Sequence, residues 1–299
     1  MSEEENKYVS FLLGYGGYAK IQLRNGGSSQ PDGFSSENWN IVPLLNGNYD
    51  RTMTVPMQST FSTPLNDKKR AKIRTGSGVY SYSGSIAFEL TDVLRDLIFN
   101  TQLNFFKRNA FLDIELCDGE GTIQIPGAVW NSLNISGTVG GIINGSISFM
   151  TCNGYCHEIT VIAPTVSGEG FDTLPNLEPY WQYGGEGVQD FQLALTRNIM
   201  PVYLNEKKWI GPSYLRVGLM DASLSITCWE KWFDHNSIVL GNKTLSFQDG
   251  AFQNSRSYQF AGMGGEGLKT YTNNAVGLSG DGDLFVIKNN KEQSDSDSY

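Results

Sequence analysis

The sequence predicts a mostly-β fold with short helices: two tandem antiparallel β-sandwich or barrel domains, each carrying one short α-helix. Three observations predict it. Apolar residues alternate over short stretches that glycines punctuate. One strand-to-helix switch occurs twice. Short echoes also recur in the same order through both halves of the chain.

The switch is clearest at 79–100, VYSYSGSIAFELTDVLRDLIFN. Ile86, Phe88 and Leu90 alternate with Ser85, Ala87 and Glu89, the period of a half-buried strand. At Thr91 the period changes. Thr91 suits a helix N-cap, Asp92 suits the first turn, and Val93, Leu94, Leu97 and Ile98 share an apolar face. The second occurrence runs from Leu215 to Asn236. There Leu224, Ile226 and Cys228 alternate with Ser223, Ser225 and Thr227 before the aromatic segment WEKWFDHN.

The echoes extend the repeat. Tyr15-Gly16-Gly17 returns as Tyr183-Gly184-Gly185, Ile21-Gln22-Leu23 as Phe191-Gln192-Leu193, and Asn40 to Pro43 as Asn198 to Pro201. Asn131-Ser132 returns as Asn254-Ser255, and Gly137 to Gly140 as Gly262 to Gly265. The expected organisation is a flexible stretch at 1–10, a first domain at 11–162, a linker at 163–178, a second domain at 179–288 and a disordered tail at 289–299. The first domain should insert a loop at 26–37 where the second turns directly. It should also carry a long loop at 47–78 holding Pro56, Pro64 and the basic run Lys68, Lys69, Arg70, Lys72 and Arg74. Further strands are expected at 111–116, 122–125, 133–135 and 142–150, and in the second half at 243–247, 257–260, 268–271 and 284–287.

Composition limits the function classes. The chain has 299 residues, a net charge of -9 and 34 glycines, with 14 Tyr and 16 Phe, which favours turns and strands. The acidic balance disfavours a protein that grips nucleic-acid phosphates. The opening MSEEENKYVSFLLGYGG lacks a basic export region, and no run approaches the ~18 apolar residues of a membrane span. The four cysteines are therefore expected as free thiols.

No motif carries enzyme chemistry. Cys152-x3-Cys156-His157 lacks the second ligand pair of a structural zinc site. His235 falls at the end of the second expected helix, where a cation suits the dipole. Gly280-Asp281-Gly282-Asp283 reads as a tight turn and lacks the wider acidic spacing of a calcium loop. Asp113 and Glu115 lie ~7 Å apart on one face of a strand, with Leu112, Ile114 and Leu116 on the other. That pair is expected to line a solvated face. Nucleophile elbows and phosphate loops are absent, so the sequence predicts no enzyme, cofactor or metal.

A strand running into a short helix, a long loop before it and glycine-punctuated strands after it resemble the tail-tube domain of tailed bacteriophages. Tyr80 to Asn100 and Phe111 to Phe149 carry the likeness, with weaker echoes at Leu215 to Asn236 and Lys243 to Val286. The resemblance implies a tandem-domain structural virion protein. It implies trimeric rings of pseudo-sixfold symmetry, stacked into a hollow tail tube that conducts DNA during ejection. Expected partners are further copies of the chain, sheath, terminator or baseplate proteins, and phage DNA passing without specific binding, with no membrane. The location is the virion tail, after synthesis in the host cytoplasm. Asp113 and Glu115 would line the channel, while Lys68, Lys69, Arg70, Lys72 and Arg74 would contact a neighbouring ring. Two alternatives accompany this reading. One is a baseplate hub or tube-initiating ring of the same fold. The other is a carbohydrate-binding β-sandwich adsorption protein, using some of Trp39, Trp130, Trp181, Trp209, Trp229 and Trp232 as stacking platforms.

Overall fold

A computed structural model describes residues 18–25, 40–54, 57–62, 70–75, 79–102, 104–117, 122–138, 141–152, 157–159, 188–204, 211–229, 237–247, 252–260, 268–276 and 284–289. These residues are mostly β, in antiparallel sheets, with a single short α-helix among them.

In the first half the strands are β1 (Tyr18–Asn25), β2 (Asn40–Thr54), β3 (Met57–Ser62), β4 (Arg70–Thr75) and β5 (Val79–Glu89). These are followed by β6 (Ala110–Cys117), β7 (Thr122–Thr138), β8 (Asn144–Thr151) and β9 (His157–Ile159). The second half contributes β10 (Val188–Val202), β11 (Tyr214–Trp229), β12 (Ser237–Leu240), β13 (Lys243–Phe247), β14 (Phe252–Phe260), β15 (Leu268–Val276) and β16 (Phe285–Asn289).

The stretch at 79–100 folds as its pattern predicts. In β5, Ile86 and Phe88 are buried, and Ser85 and Ala87 lie on the more open face. Helix α1 (Asp92–Ile98) follows at once. Extended backbone at Thr91 lets its Oγ1 accept from the Leu94 N–H at 3.3 Å, satisfying one of the first-turn donors. Arg95 pairs with Asp92 at 2.8 Å and Asp96 at 3.0 Å, and Leu94 and Ile98 are buried. The helix ends where the Phe99 N–H bonds to the Arg95 carbonyl. Its counterpart at 230–236 lies outside the described residues.

One sheet of 11 strands organises the fold. Its order runs β14-β15-β11-β10-β7-β6-β1-β2-β5-β8, and β8 pairs back onto β7. The strands β7-β6-β1-β2-β5-β8 therefore close a circuit around buried Ile21, Ile86, Ile114 and Ile147. Burying each such side chain contributes about 1.5–3 kcal/mol. Two smaller sheets accompany it, β12-β13-β16 and the hairpin β3-β4.

β7 is the pivot. The sequence predicts two strands, at 122–125 and 133–135, but a single strand of 17 residues runs through both. Gly127, at φ 60, bends it without ending it. Before the bend β7 pairs with β6 and β9; beyond it, with β8 and β10. The expected loop at 47–78 is also corrected. Gly47 to Thr54 extend β2 against β5, and β3 and β4 pair antiparallel. Pro56 and Pro64 lie outside the described residues.

The order of pairings in the first half recurs in the second. β2–β5–β8–β7 are joined by antiparallel ladders, and so are β10–β11–β15–β14. The rows agree in register: Asn48–Ser85–Ser148–Ser132 in one, Ala194–Ser223–Asn274–Ser255 in the other. In both rows the preceding asparagine, Asn131 or Asn254, falls where the ladder shifts register. By this pairing β10 corresponds to β2. Phe191 to Leu193 and Asn198 to Pro201 lie in one strand, whereas Ile21 to Leu23 and Asn40 to Pro43 lie in two strands that pair with each other. The expected direct turn in the second half is therefore a straight strand with a bulge between Arg197 and Ile199. β13 pairs with β16, near the C-terminal end.

The halves meet across the β7–β10 ladder and share one continuous core. Phe106 packs on Phe285, and the Lys243 ammonium lies 3.7 Å from Asp96. The expected linker at 163–178 lies outside the described residues, as do 1–10 and 290–299. Asn289, counted in the expected tail, is the last residue of β16.

On the buried side of the first half, phenylalanines cover glycines of the partner strand. Phe88 is opposite Gly145 and Phe149 opposite Gly84. A Cβ at Gly145 would stand 2.4 Å from the Phe88 ring. Gly145→Ala is therefore expected to cost about 1–3 kcal/mol, because the ring must leave its site. Calorimetry should find a clearly lower melting temperature, and an unchanged one would contradict the packing.

Candidate functional site

The side of the large sheet away from the core is a broad face of small polar residues. β5 contributes Ser83, Ser85, Ala87 and Glu89, and β8 contributes Asn144, Ser146 and Ser148. β7 adds Ser132, Asn134, Ser136 and Thr138, and β10 adds Gln192, Ala194 and Thr196. β11 adds Asp221, Ser223, Ser225 and Thr227, and β15 adds Thr270 and Thr272. All are exposed or half-buried.

Period two creates this face. Each strand alternates one small polar residue with one apolar residue, so the apolar set of Ile86, Phe88, Leu133, Ile135, Ile147, Leu193, Leu195, Leu224 and Ile226 enters the core. The residues then line up across strands. One row reads Glu89–Asn144–Ser136–Gln192–Ser225–Thr272, and its neighbour Ala87–Ser146–Asn134–Ala194–Ser223. Some partners bond on the face itself. Ser225 Oγ lies 3.1 Å from Thr272 Oγ1, and Thr227 Oγ1 lies 3.0 Å from Thr270 Oγ1. The Ser85 N–H and hydroxyl both donate to Asn48 Oδ1, at 2.8 and 2.9 Å.

The electrostatics of the face follow from composition. Asp190 of β10, opposite Thr138 and Thr227, also lies on this face. Among its described residues the charges are the carboxylates Glu89, Asp190 and Asp221, and none is Lys, Arg or aromatic. Such a surface lacks the cations that hold phosphate and the aromatic and arginine anchors that hold proteins. Hydroxyls and amides keep it hydrated.

The sequence-predicted channel residues lie elsewhere. Asp113 and Glu115 do share the face of β6 opposite Leu112 and Ile114, but that face is not solvated. Asp113 is fully buried: it accepts from Arg24 at 2.6 Å and from the Gly127 N–H at 2.8 Å. Glu115 is 9% exposed, pairs with Lys20 at 3.0 Å and accepts from Gln124 at 2.9 Å. The two carboxylates are neutralised by β1 cations and hold β1, β6 and the bend of β7 together. They do not belong to the polar face.

Arg70, Lys72 and Arg74 occupy alternate positions of β4, opposite Ser62, Thr60 and Gln58. Lys68 and Lys69 lie outside the described residues. So do Cys156, His235 and the segment 280–283. Cys152 and Cys228 are buried free thiols, and burial pushes Cys152 up to about 12. Among the described residues no group of His, Cys, Asp and Glu could hold a metal ion, and no helix is long and apolar enough to cross a membrane. Trp130 is fully buried, donating from Nε1 to the Phe105 carbonyl at 2.9 Å, so it is no platform for a ligand.

The polar face was missed in sequence although its signal is there. Small polar residues alternate in Ser83-x-Ser85, Ser132-x-Asn134-x-Ser136, Ser146-x-Ser148 and Ser223-x-Ser225-x-Thr227. Only the pairing order shows that they form one surface. Comparison with known proteins adds no identification: no family model matches the chain, and no curated protein matches its sequence.

Proposed function

We propose that the chain is a structural subunit of a phage-type tail tube, forming trimeric rings of pseudo-sixfold symmetry that stack into a hollow conduit for DNA. The observation that carries this reading is the small-polar face, without Lys or Arg among its described residues, spread over strands of both halves. A duct for a polyanion needs a wall that stays hydrated and offers phosphate no counter-charge, so that the cargo slides. The carboxylates Glu89, Asp190 and Asp221 would repel phosphate at short range.

The recurrent pairing order supports the same reading. It supplies each chain with two four-stranded blocks that present one continuous wall. Three chains would contribute about 24 strands at ~4.8 Å spacing, a backbone circle roughly 40 Å across. Of the tryptophans that the carbohydrate-binding alternative would use, Trp130 is buried, and the side chains of the other five lie outside the described residues.

Thiol accessibility tests which side faces the lumen. Thr196→Cys is expected to react with a small maleimide in the monomer and in the assembly alike. A maleimide carried on a long polyethylene glycol should label the monomer and be excluded from assembled tubes. Equal labelling of intact tubes by the bulky reagent would place the face outside and overturn the lumen assignment.

A further inference from the structure

The seam between the two halves gives a template for the contact between two chains. At that seam β7 pairs with β10, with Asn134 opposite Ala194 and Ser132 opposite Thr196. By the matching rows, β14 stands in the second half where β7 stands in the first, and β2 stands where β10 does. β7 and β10 are joined to each other. β14 has β15 on one edge and no strand on the other among the described residues. β2 beyond Pro43 has β5 on one edge and likewise no second strand. Among the described residues the wall therefore ends on two complementary edges whose counterparts in the middle of the chain are paired.

We infer that β14 of one chain pairs antiparallel with β2 of a second copy, in the register of the internal β7–β10 seam. The inference rests on the ring-forming reading above, to which it adds the edges and the register. Two routes fix that register. The strand-to-helix switch aligns Ser85 with Ser223, and the Asn-Ser echo aligns Ser132 with Ser255; the ladders join both pairs in the same row. Transferring the seam places Ser257 of one chain opposite Asn48 of the next, and Ser255 opposite Asp50. The contact is head to tail, so each chain keeps one edge of each kind, and a closed set of copies has no open edge.

Oxidative cross-linking of the full chain tests this. Residues directly opposite on antiparallel strands bring Cβ atoms near disulfide range. The double variant Asn48→Cys with Ser257→Cys is expected to give interchain disulfides in most of the protein. Asn48→Cys with Tyr258→Cys, one residue out of register and on opposite faces, should stay at the level of the single-cysteine controls. Asp50→Cys with Ser255→Cys serves as a second in-register pair should the first disturb folding, which circular dichroism would report.

The outcomes separate the two claims. Rings or tubes by microscopy with neither in-register pair cross-linked would overturn the edge assignment and leave the ring reading standing. Cross-links that build an open ladder without a closed species would uphold the edges and count against closed rings. Neither cross-links nor assemblies would overturn both.

Discussion

Asp113→Ala is expected to destabilise the protein by about 3–5 kcal/mol, the range for removing one partner of a buried ion pair. The carboxylate is fully buried between Arg24 and the Gly127 N–H. Its loss leaves a largely buried guanidinium without this carboxylate and removes the acceptor that pins the bend of β7. Asp113→Asn should cost less, because the amide oxygen can still accept from Gly127 while the ionic part of the Arg24 contact disappears. Urea unfolding of both variants checks the order. A surface carboxylate at this position would give changes within about 0.5 kcal/mol for either, and that result would contradict the buried pairing.

Arg197→Ala should be comparably severe. Arg197 rises from β10 in the second half, is 4% exposed, and donates to the Phe106 and Lys107 carbonyls of the first half. Its guanidinium lies over the Trp130 ring at 3.9 Å. Truncation strips the donor from the buried Phe106 carbonyl, worth about 1–3 kcal/mol when left unsatisfied. It also takes one of two donors from the Lys107 carbonyl, which keeps the Ala110 N–H, and removes the stacking contact. We expect a loss of about 3–5 kcal/mol. Arg197→Lys should recover only part of it, since an ammonium cannot reproduce the planar fork or the stack. If alanine and lysine variants melt alike and close to the parent, the side chain does not join the halves.

What was legible in the sequence was local. The alternation of Ile86, Phe88 and Leu90, the Thr91 cap and the apolar face of α1 are all written within 22 residues, and each is found as read. What was not legible depends on distant partners. Asp113 looks like a solvated carboxylate because Arg24 stands 89 residues away in sequence. Pro126-Gly127 looks like the end of a strand, because nothing local shows that β7 exchanges β6 for β10 there. The repeat was visible in the Asn131-Ser132 and Asn254-Ser255 echo, whose asparagines mark equivalent bulges. It was misread at Asn198, where a like sequence lies in a straight strand and not after a turn. The polar face required both kinds of knowledge: alternation puts serine on one side of a strand, and only long-range pairing assembles six strands of it into a wall.

Negative-stain microscopy of the purified chain tests the central claim most directly. Rings of three chains with an open centre, alone or stacked into hollow tubes, are the expected result. Rings that never stack would favour the hub or initiator form of the same subunit. Monodisperse single chains at high concentration, with no ring under any condition of salt or pH that preserves the fold, would contradict the claim.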